Sequence, residues 1–153
     1  MFQPFSVSEN TIRYTARSGI VPWILVAYPP EFQRLCRLYR EVAAENGRTL
    51  RLGESVGAFR AVHFGRTEEE AVALFRDTNY AGFYNYFGGF GFAEALRFPE
   101  DAEKYPSPTM LPQSEWTVER LRRSKYALAG TVDVAEIPVC DQPEQWRCRL
   151  RVR

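Results

Sequence analysis

Ile20-Val21-Pro22-Trp23-Ile24-Leu25-Val26-Ala27, followed at once by Tyr28-Pro29-Pro30-Glu31-Phe32, decides the fold. The first eight residues are almost continuously apolar, which suits a strand buried on both faces, as in a parallel sheet. Pro22 lies close enough to the start of that strand to be tolerated. The paired prolines then open a helix, where a missing N–H costs no hydrogen bond. Phe32, Leu35, Cys36, Tyr39, Val42 and Ala43 recur at three- and four-residue spacing along one face of it, and Arg34, Arg37, Glu41 and Glu45 occupy the opposite face. Gly47 ends the helix.

Working outward, the same alternation appears on both sides. Ser8-Glu9-Asn10-Thr11 starts a helix that runs to Arg17, with Gly19 in the position just past its end. Ahead of it, Phe2 to Val7 reads as the remnant of a strand. Downstream, Ser55 to Phe64 predicts a second strand, broken by Gly65. Thr67-Glu68-Glu69-Glu70 then has the form of a capping box, with Thr67 as the cap and Glu70 reaching back. Ala71, Leu74 and Phe75 are expected to supply the buried face of the helix that follows. Strands alternating with helices predict an α/β fold with a parallel sheet and right-handed crossovers.

Beyond this point the pattern loosens. Asn79 to Phe98 is rich in aromatic residues and glycine, and Pro99 to Pro112 reads as a polar connection punctuated by prolines. A helix is predicted from a Ser114 cap through Trp116, Val118 and Leu121 to about Ser124. Val139 to Arg153 has no periodicity. It holds Cys140, Cys148 and Trp146, with four arginines in its last seven residues. No internal repeat is present.

Composition narrows the function classes. A chain of 153 residues with 45% apolar content can bury one core. A net charge of +1 argues against binding nucleic acid through a basic face. No apolar run approaches the roughly 20 residues of a membrane helix, and Met1-Phe2-Gln3-Pro4 does not open a secretory signal. Cys36, Cys140 and Cys148 follow no metal-binding spacing, and His63 is the only histidine. These features predict reduced thiols, no metal and a cytoplasmic setting.

Several blocks together resemble a known family. The segment Ser8 to Gly19 is similar to the helix that follows a barrel strand in bacterial luciferase-like flavin-dependent monooxygenases. The helix ending Leu38-Tyr39-Arg40-Glu41-Val42-Ala43-Ala44-Glu45-Asn46-Gly47 resembles a further block, as does Val62-His63-Phe64-Gly65-Arg66-Thr67-Glu68-Glu69-Glu70-Ala71. Gly88-Gly89-Phe90-Gly91-Phe92 and Leu128-Ala129-Gly130-Thr131-Val132-Asp133 continue the match in order. The resemblance implies a partial (β/α)8 TIM barrel over residues 1–134, lacking the N-terminal half, and a divergent tail over residues 135–153. The family's last strand is expected after Gly130-Thr131, where Pro138-Val139-Cys140-Asp141 stands instead. A change of reading frame near Glu136 would account for that shift.

The resemblance also implies chemistry. Relatives take reduced flavin from a separate reductase and use it with oxygen to oxidise a small hydrophobic substrate in a dry pocket. The implied cofactor is reduced flavin mononucleotide (FMN), with a deazaflavin left open, and the implied partners are a flavin reductase or another barrel subunit. Ser8 and Thr11 are the phosphate-binding candidates, and Glu9 would contribute its backbone N–H. The physical basis is that a helix N-terminus presents unpaired N–H groups and a positive dipole end. Against this, Ser8 is also what any ordinary N-cap requires. His63 lies near the end of a strand, but without an identifiable partner it reads as a structural histidine. The aromatic block from Tyr80 to Phe92 either lines a substrate pocket or packs against another part of a barrel. No catalytic residue is assigned. The alternative function is a non-catalytic fragment that binds flavin or pairs with another subunit.

Overall fold

The computed structural model describes residues 1–5, 8–25, 28–77, 96–106, 111–131, 136–138 and 147–149. Strand β1 (Phe2–Phe5) leads into α1 (Glu9–Ser18), β2 (Val21–Ile24) and α2 (Pro29–Glu45). Two short strands follow, β3 (Gly57–Ala58) and β4 (Ala61–Phe64), and then α3 (Glu68–Phe75). After them come α4 (Asp101–Lys104), a single 3-10 turn at Gln113–Glu115, α5 (Val118–Arg123) and β5 (Ala127–Gly130). The tail contributes β6 (Glu136–Pro138) and β7 (Arg147–Arg149), which pair antiparallel with Ile137 opposite Cys148.

The caps explain where the helices begin and end. Ser8 Oγ accepts from the Thr11 N–H at 3.4 Å, and Gly19 closes α1 at φ 68°, a conformation that costs glycine little. Thr67 Oγ1 accepts from the Glu70 N–H at 3.2 Å as the capping box predicts, while Glu70 reaches back one residue further, to the N–H of Arg66. The last long helix is capped by Thr117, which accepts from Arg120, so α5 starts later than a Ser114 cap implied. Ser114 lies in the preceding 3-10 turn.

β1 pairs parallel with β2, and β2 parallel with β3. β4 then pairs parallel with β5, Ala61 opposite Ala127. The predicted strand Ser55–Phe64 is therefore two strands with different neighbours. Phe59 N–H still donates to Ile24 of β2, whereas Ala61 N–H donates to Tyr126 on the other side. Along the shared segment the pairing passes from β2 to β5, which staggers the sheet. β5 ends at Gly130; most of the stretch after Thr131, where a last strand was expected, lies outside the described residues.

All three strand-to-strand crossovers join parallel neighbours in sequence order, and right-handed crossovers in that order put the helices on one face. The burial agrees. Ile24 packs with Ile12 and Ala16 of α1 and with Phe32, Leu35, Cys36, Tyr39 and Val42 of α2. Ala61 and Ala127 pack with Phe75 of α3 and with Val118 and Leu121 of α5. Each fully buried Leu or Ile there contributes on the order of 1.5–3 kcal/mol by leaving water. On the other face of β1 and β2 two large side chains are exposed. Trp23 is 41% exposed and Phe2 63%, their rings edge to face at 5.6 Å. The expectation of a strand buried on both sides thus holds for Pro22 and Ile24 and fails for Trp23. Leu74, expected inside, is 42% exposed, because α3 turns only Ala71 and Phe75 fully inward.

Candidate functional site

The sequence candidates gather at the N-terminus of α1, beyond the C-terminal end of β1. Backbone N–H groups in the first turn of a helix have no intrahelical partner. Ser8 Oγ takes that of Thr11, which leaves the N–H groups of Glu9 and Asn10 at the helix end. Ser8, Glu9 and Thr11 are thus brought together on one turn. Ser8 fills the ordinary capping role, and both it and Glu9 are exposed.

The surroundings were not legible in the sequence. Arg34, in the second turn of α2, donates from Nε to Glu31 at 2.8 Å and from Nη2 to Glu31 at 2.6 Å. Its Nη1 donates across to Glu9 of α1. Arg13 lies 3.9 Å from the same Glu9 carboxylate. The forked bond to Glu31, with that to Glu9, raises the Arg34 pKa above its ordinary value, so the guanidinium is a permanent cation. Arg34 therefore ties two helix N-termini together. The set is two cations, two carboxylates, a hydroxyl cap and two helix ends aimed the same way. Chemically it can receive an anion at α1, provided Arg34 or Arg13 offsets the charge of Glu9.

His63 sits elsewhere. It lies in β4, opposite Ala129, half-buried, with its ring edge to face against Phe75 of α3 at 5.4 Å. That contact puts it on the helix side of the sheet, among structural groups. The aromatic block from Tyr80 to Phe92 and Cys140 lie outside the described residues, as does the side chain of Cys148. Cys36 is a free thiol buried in the α2 core.

The strongest polar constellation was missed altogether. Arg120 of α5 forks onto Asp101 of α4 at 2.6 and 3.0 Å and also donates to Glu115 at 3.0 Å and to the Leu96 carbonyl at 3.2 Å. Glu115 further accepts from Lys104 and Tyr105, each at 2.8 Å. The Lys104 ammonium first, then the Tyr105 hydroxyl and Arg120, pull its carboxyl down to about 2. Asp101 is held below its ordinary value chiefly by Arg120. The aromatic ring of Phe98 lies beside both Arg120 and Arg123, so the cluster's charges are met largely from within it. It is a clamp for the segment before β5. A shallow groove between α3 and α5, lined by Glu68, Glu69, Val72, Arg76 and Arg122, mixes charges of both signs and converges on no point.

Among the described residues, no helix is long and apolar enough to cross a membrane. Neither a family model nor a curated protein sequence matches the chain. A solved structure does. The oxygenating constituent of 3,6-diketocamphane monooxygenase from the CAM plasmid of Pseudomonas putida, a type II Baeyer-Villiger monooxygenase determined in complex with FMN, superimposes with a TM-score of 0.59. The match covers 86% of this chain at 19% identity, and the chain spans about a third (35%) of that structure's length. At that identity the likeness is one of fold: this chain folds as an α/β protein with parallel strands, similar to part of an FMN-bound monooxygenase.

Proposed function

We propose that the chain is one side of a luciferase-like (β/α)8 barrel whose function is flavin-dependent oxidation of a hydrophobic organic substrate. The observation that carries this is the α1 N-terminus, with Ser8 and Thr11 on its first turn, standing at the C-terminal end of a strand in a sequential parallel sheet. In such barrels that end is where ligands bind. The fold likeness to an enzyme that holds FMN supports the choice of anion. The arrangement fits a phosphate: Ser8 and the N–H groups of Glu9 and Asn10 would hold it, with Arg13 and Arg34 supplying positive charge. Reduced flavin, when bound, supplies the reaction with oxygen, and a deazaflavin has the same phosphate to offer. The chain's own contribution is to anchor the cofactor's tail and to keep the ring end dry behind apolar side chains. A flavin reductase as partner and a cytoplasmic setting belong to this reading.

A second reading is a non-catalytic unit that binds flavin or pairs with another barrel subunit. The open apolar sheet face, with Phe2, Trp23 and Val62 exposed, supports it.

Urea unfolding followed by circular dichroism, with and without excess FMN, tests the first reading. A ligand that binds only the folded chain stabilises it by about 2.7 kcal/mol at a hundredfold excess over Kd. The expected result is a midpoint that rises with FMN in the native chain and rises much less in Ser8→Ala. An unchanged midpoint in the native chain would remove the phosphate site. Turnover with reduced FMN and hydrophobic ketones or aldehydes, above a heat-killed control, decides between the two readings.

A further inference from the structure

We infer that, at the phosphate site proposed above, the Glu9 carboxylate is an internal competitor that occupies Arg34 until a phosphate takes its place. This depends on that reading of the α1 end, and adds to it what regulates the site.

Glu9 stands at the first position of α1, where a carboxylate draws on the same positive helix end that an incoming anion would use. It draws on the same side chains as well. Arg34 Nη1 donates to one of its oxygens, and Arg13 Nη2 lies 3.9 Å from the other. A phosphate brought to Ser8 therefore meets a like charge beside it, which weakens its hold unless a guanidinium comes between them.

The contacts permit an exchange with little rearrangement. Arg34 is anchored from its own helix, with Nε and Nη2 forked onto Glu31 at 2.8 and 2.6 Å. Losing Glu9 therefore does not release the guanidinium. Nη1 is the nitrogen that reaches across to α1. When it turns to a phosphate oxygen, Glu9 still has Arg13 one turn along its own helix, four positions away. The side chains of Glu9 and Arg34 are 47% and 43% exposed, and an ion pair with that much water around it is weak enough to give way. A guanidinium bonds phosphate oxygens in the same charge-assisted manner as carboxylate ones, so Nη1 exchanges one anion for another.

Equilibrium dialysis of the full chain against FMN, and against riboflavin, which lacks the phosphate, tests this. Glu9→Gln keeps the shape of the side chain and removes its charge. It should bind FMN roughly three- to tenfold more tightly than the native chain does, and riboflavin no differently. Glu45→Gln removes the same charge roughly 20 Å along α2 from Glu31 and should change neither affinity. The gain from Glu9→Gln should largely vanish in an Arg34→Gln background, where no guanidinium is left to compete for. Circular dichroism of each variant checks that its helices are native. An FMN affinity unchanged or weakened in Glu9→Gln would overturn the inference, and so would a gain of equal size with and without Arg34; FMN binding by the native chain would then leave the phosphate reading standing. FMN binding by Glu9→Gln with none by the native chain would support both. Binding by neither would remove the phosphate reading and the competitor together.

Discussion

Arg120 shows how much one buried side chain can organise. Its side chain is 11% exposed and that of Asp101 is 7%, so each charge depends on the other. Removing one partner of such a pair strands the other in low dielectric, which costs about 3–5 kcal/mol. Arg120→Ala should therefore lower urea stability by several kcal/mol, and Asp101→Asn by less, since the amide still accepts from the Phe98 N–H. The same cluster sets an acid limb. Asp101 and Glu115 both have carboxyls held below their ordinary values, so the stability they contribute is complete above the unfolded carboxylate range. It is lost as pH falls through the folded values, for Glu115 from about 4.5 toward about 2. Midpoints measured from neutral pH downward should be flat until the carboxylate range and then fall, and the fall should be shallower in Glu115→Gln. Arg60 poses the opposite case. It packs over Phe32, the Phe59 carbonyl accepts from it at 2.7 Å, and burial depresses its pKa to about 10. A half-buried cation with no ion pair among the described residues carries a desolvation cost. Arg60→Met is expected to leave stability unchanged or raise it, as a urea midpoint will show.

At the scale of elements, the turn from β4 into α3 is the tightest joint in the chain. A Cβ on Gly65 would lie 2.5 Å from the Ala71 nitrogen and 2.8 Å from the Thr67 carbonyl oxygen, both backbone atoms that cannot swing aside. Gly65→Ala should then cost about 1–3 kcal/mol in overpacking, well beyond the roughly 1 kcal/mol of Thr67→Ala, which removes a cap alone. Equal losses in the two variants would show that the joint has slack. These elements also show what the sequence carried. α1, α2 and α3 were legible because their caps and apolar spacing are local: Ser8, Pro29 and Thr67 each act within one turn. β3 and β4 were not separable, since Val56, Phe59 and Val62 all read as strand, and only the neighbours β2 and β5 divide them. Leu74 misled because spacing places it on the α3 face, whereas the width of the buried stripe depends on how closely α3 meets the sheet. The Asp101–Arg120 clamp joins positions 19 apart on different helices, and no periodicity announces such a pair. Of the candidate site, the hydroxyls of Ser8 and Thr11 could be read, but Arg34 could not, since its link to Glu9 spans 25 positions and two helices.

Across the described residues, two apolar clusters each pack on a parallel sheet of their own. One gathers Ile12, Leu35, Tyr39 and their neighbours around β2; the other gathers Phe75, Leu96, Trp116 and Leu121 around β4 and β5. Side-chain contacts among the described residues join them. Tyr28 meets Phe98 edge to face at 5.3 Å, Phe59 meets Tyr126 at 6.3 Å, and Arg60 reaches from the β3–β4 junction to Phe32. The backbone tie is narrower still, since β3 is only Gly57–Ala58 and the β4 ladder begins three residues later. Coupling through so few residues is the condition under which units of a fold open separately. Leu35→Ala and Leu121→Ala each delete a fully buried side chain and should each cost about 2–5 kcal/mol. Amide hydrogen exchange resolves where that cost falls. The expected pattern is local: Leu35→Ala should speed exchange in α1 and α2 and leave α5 and β5 near native rates, with the reverse for Leu121→Ala. Uniform acceleration across both clusters in either variant would mean that the Tyr28–Phe98 and Phe59–Tyr126 contacts bind the halves into one cooperative unit.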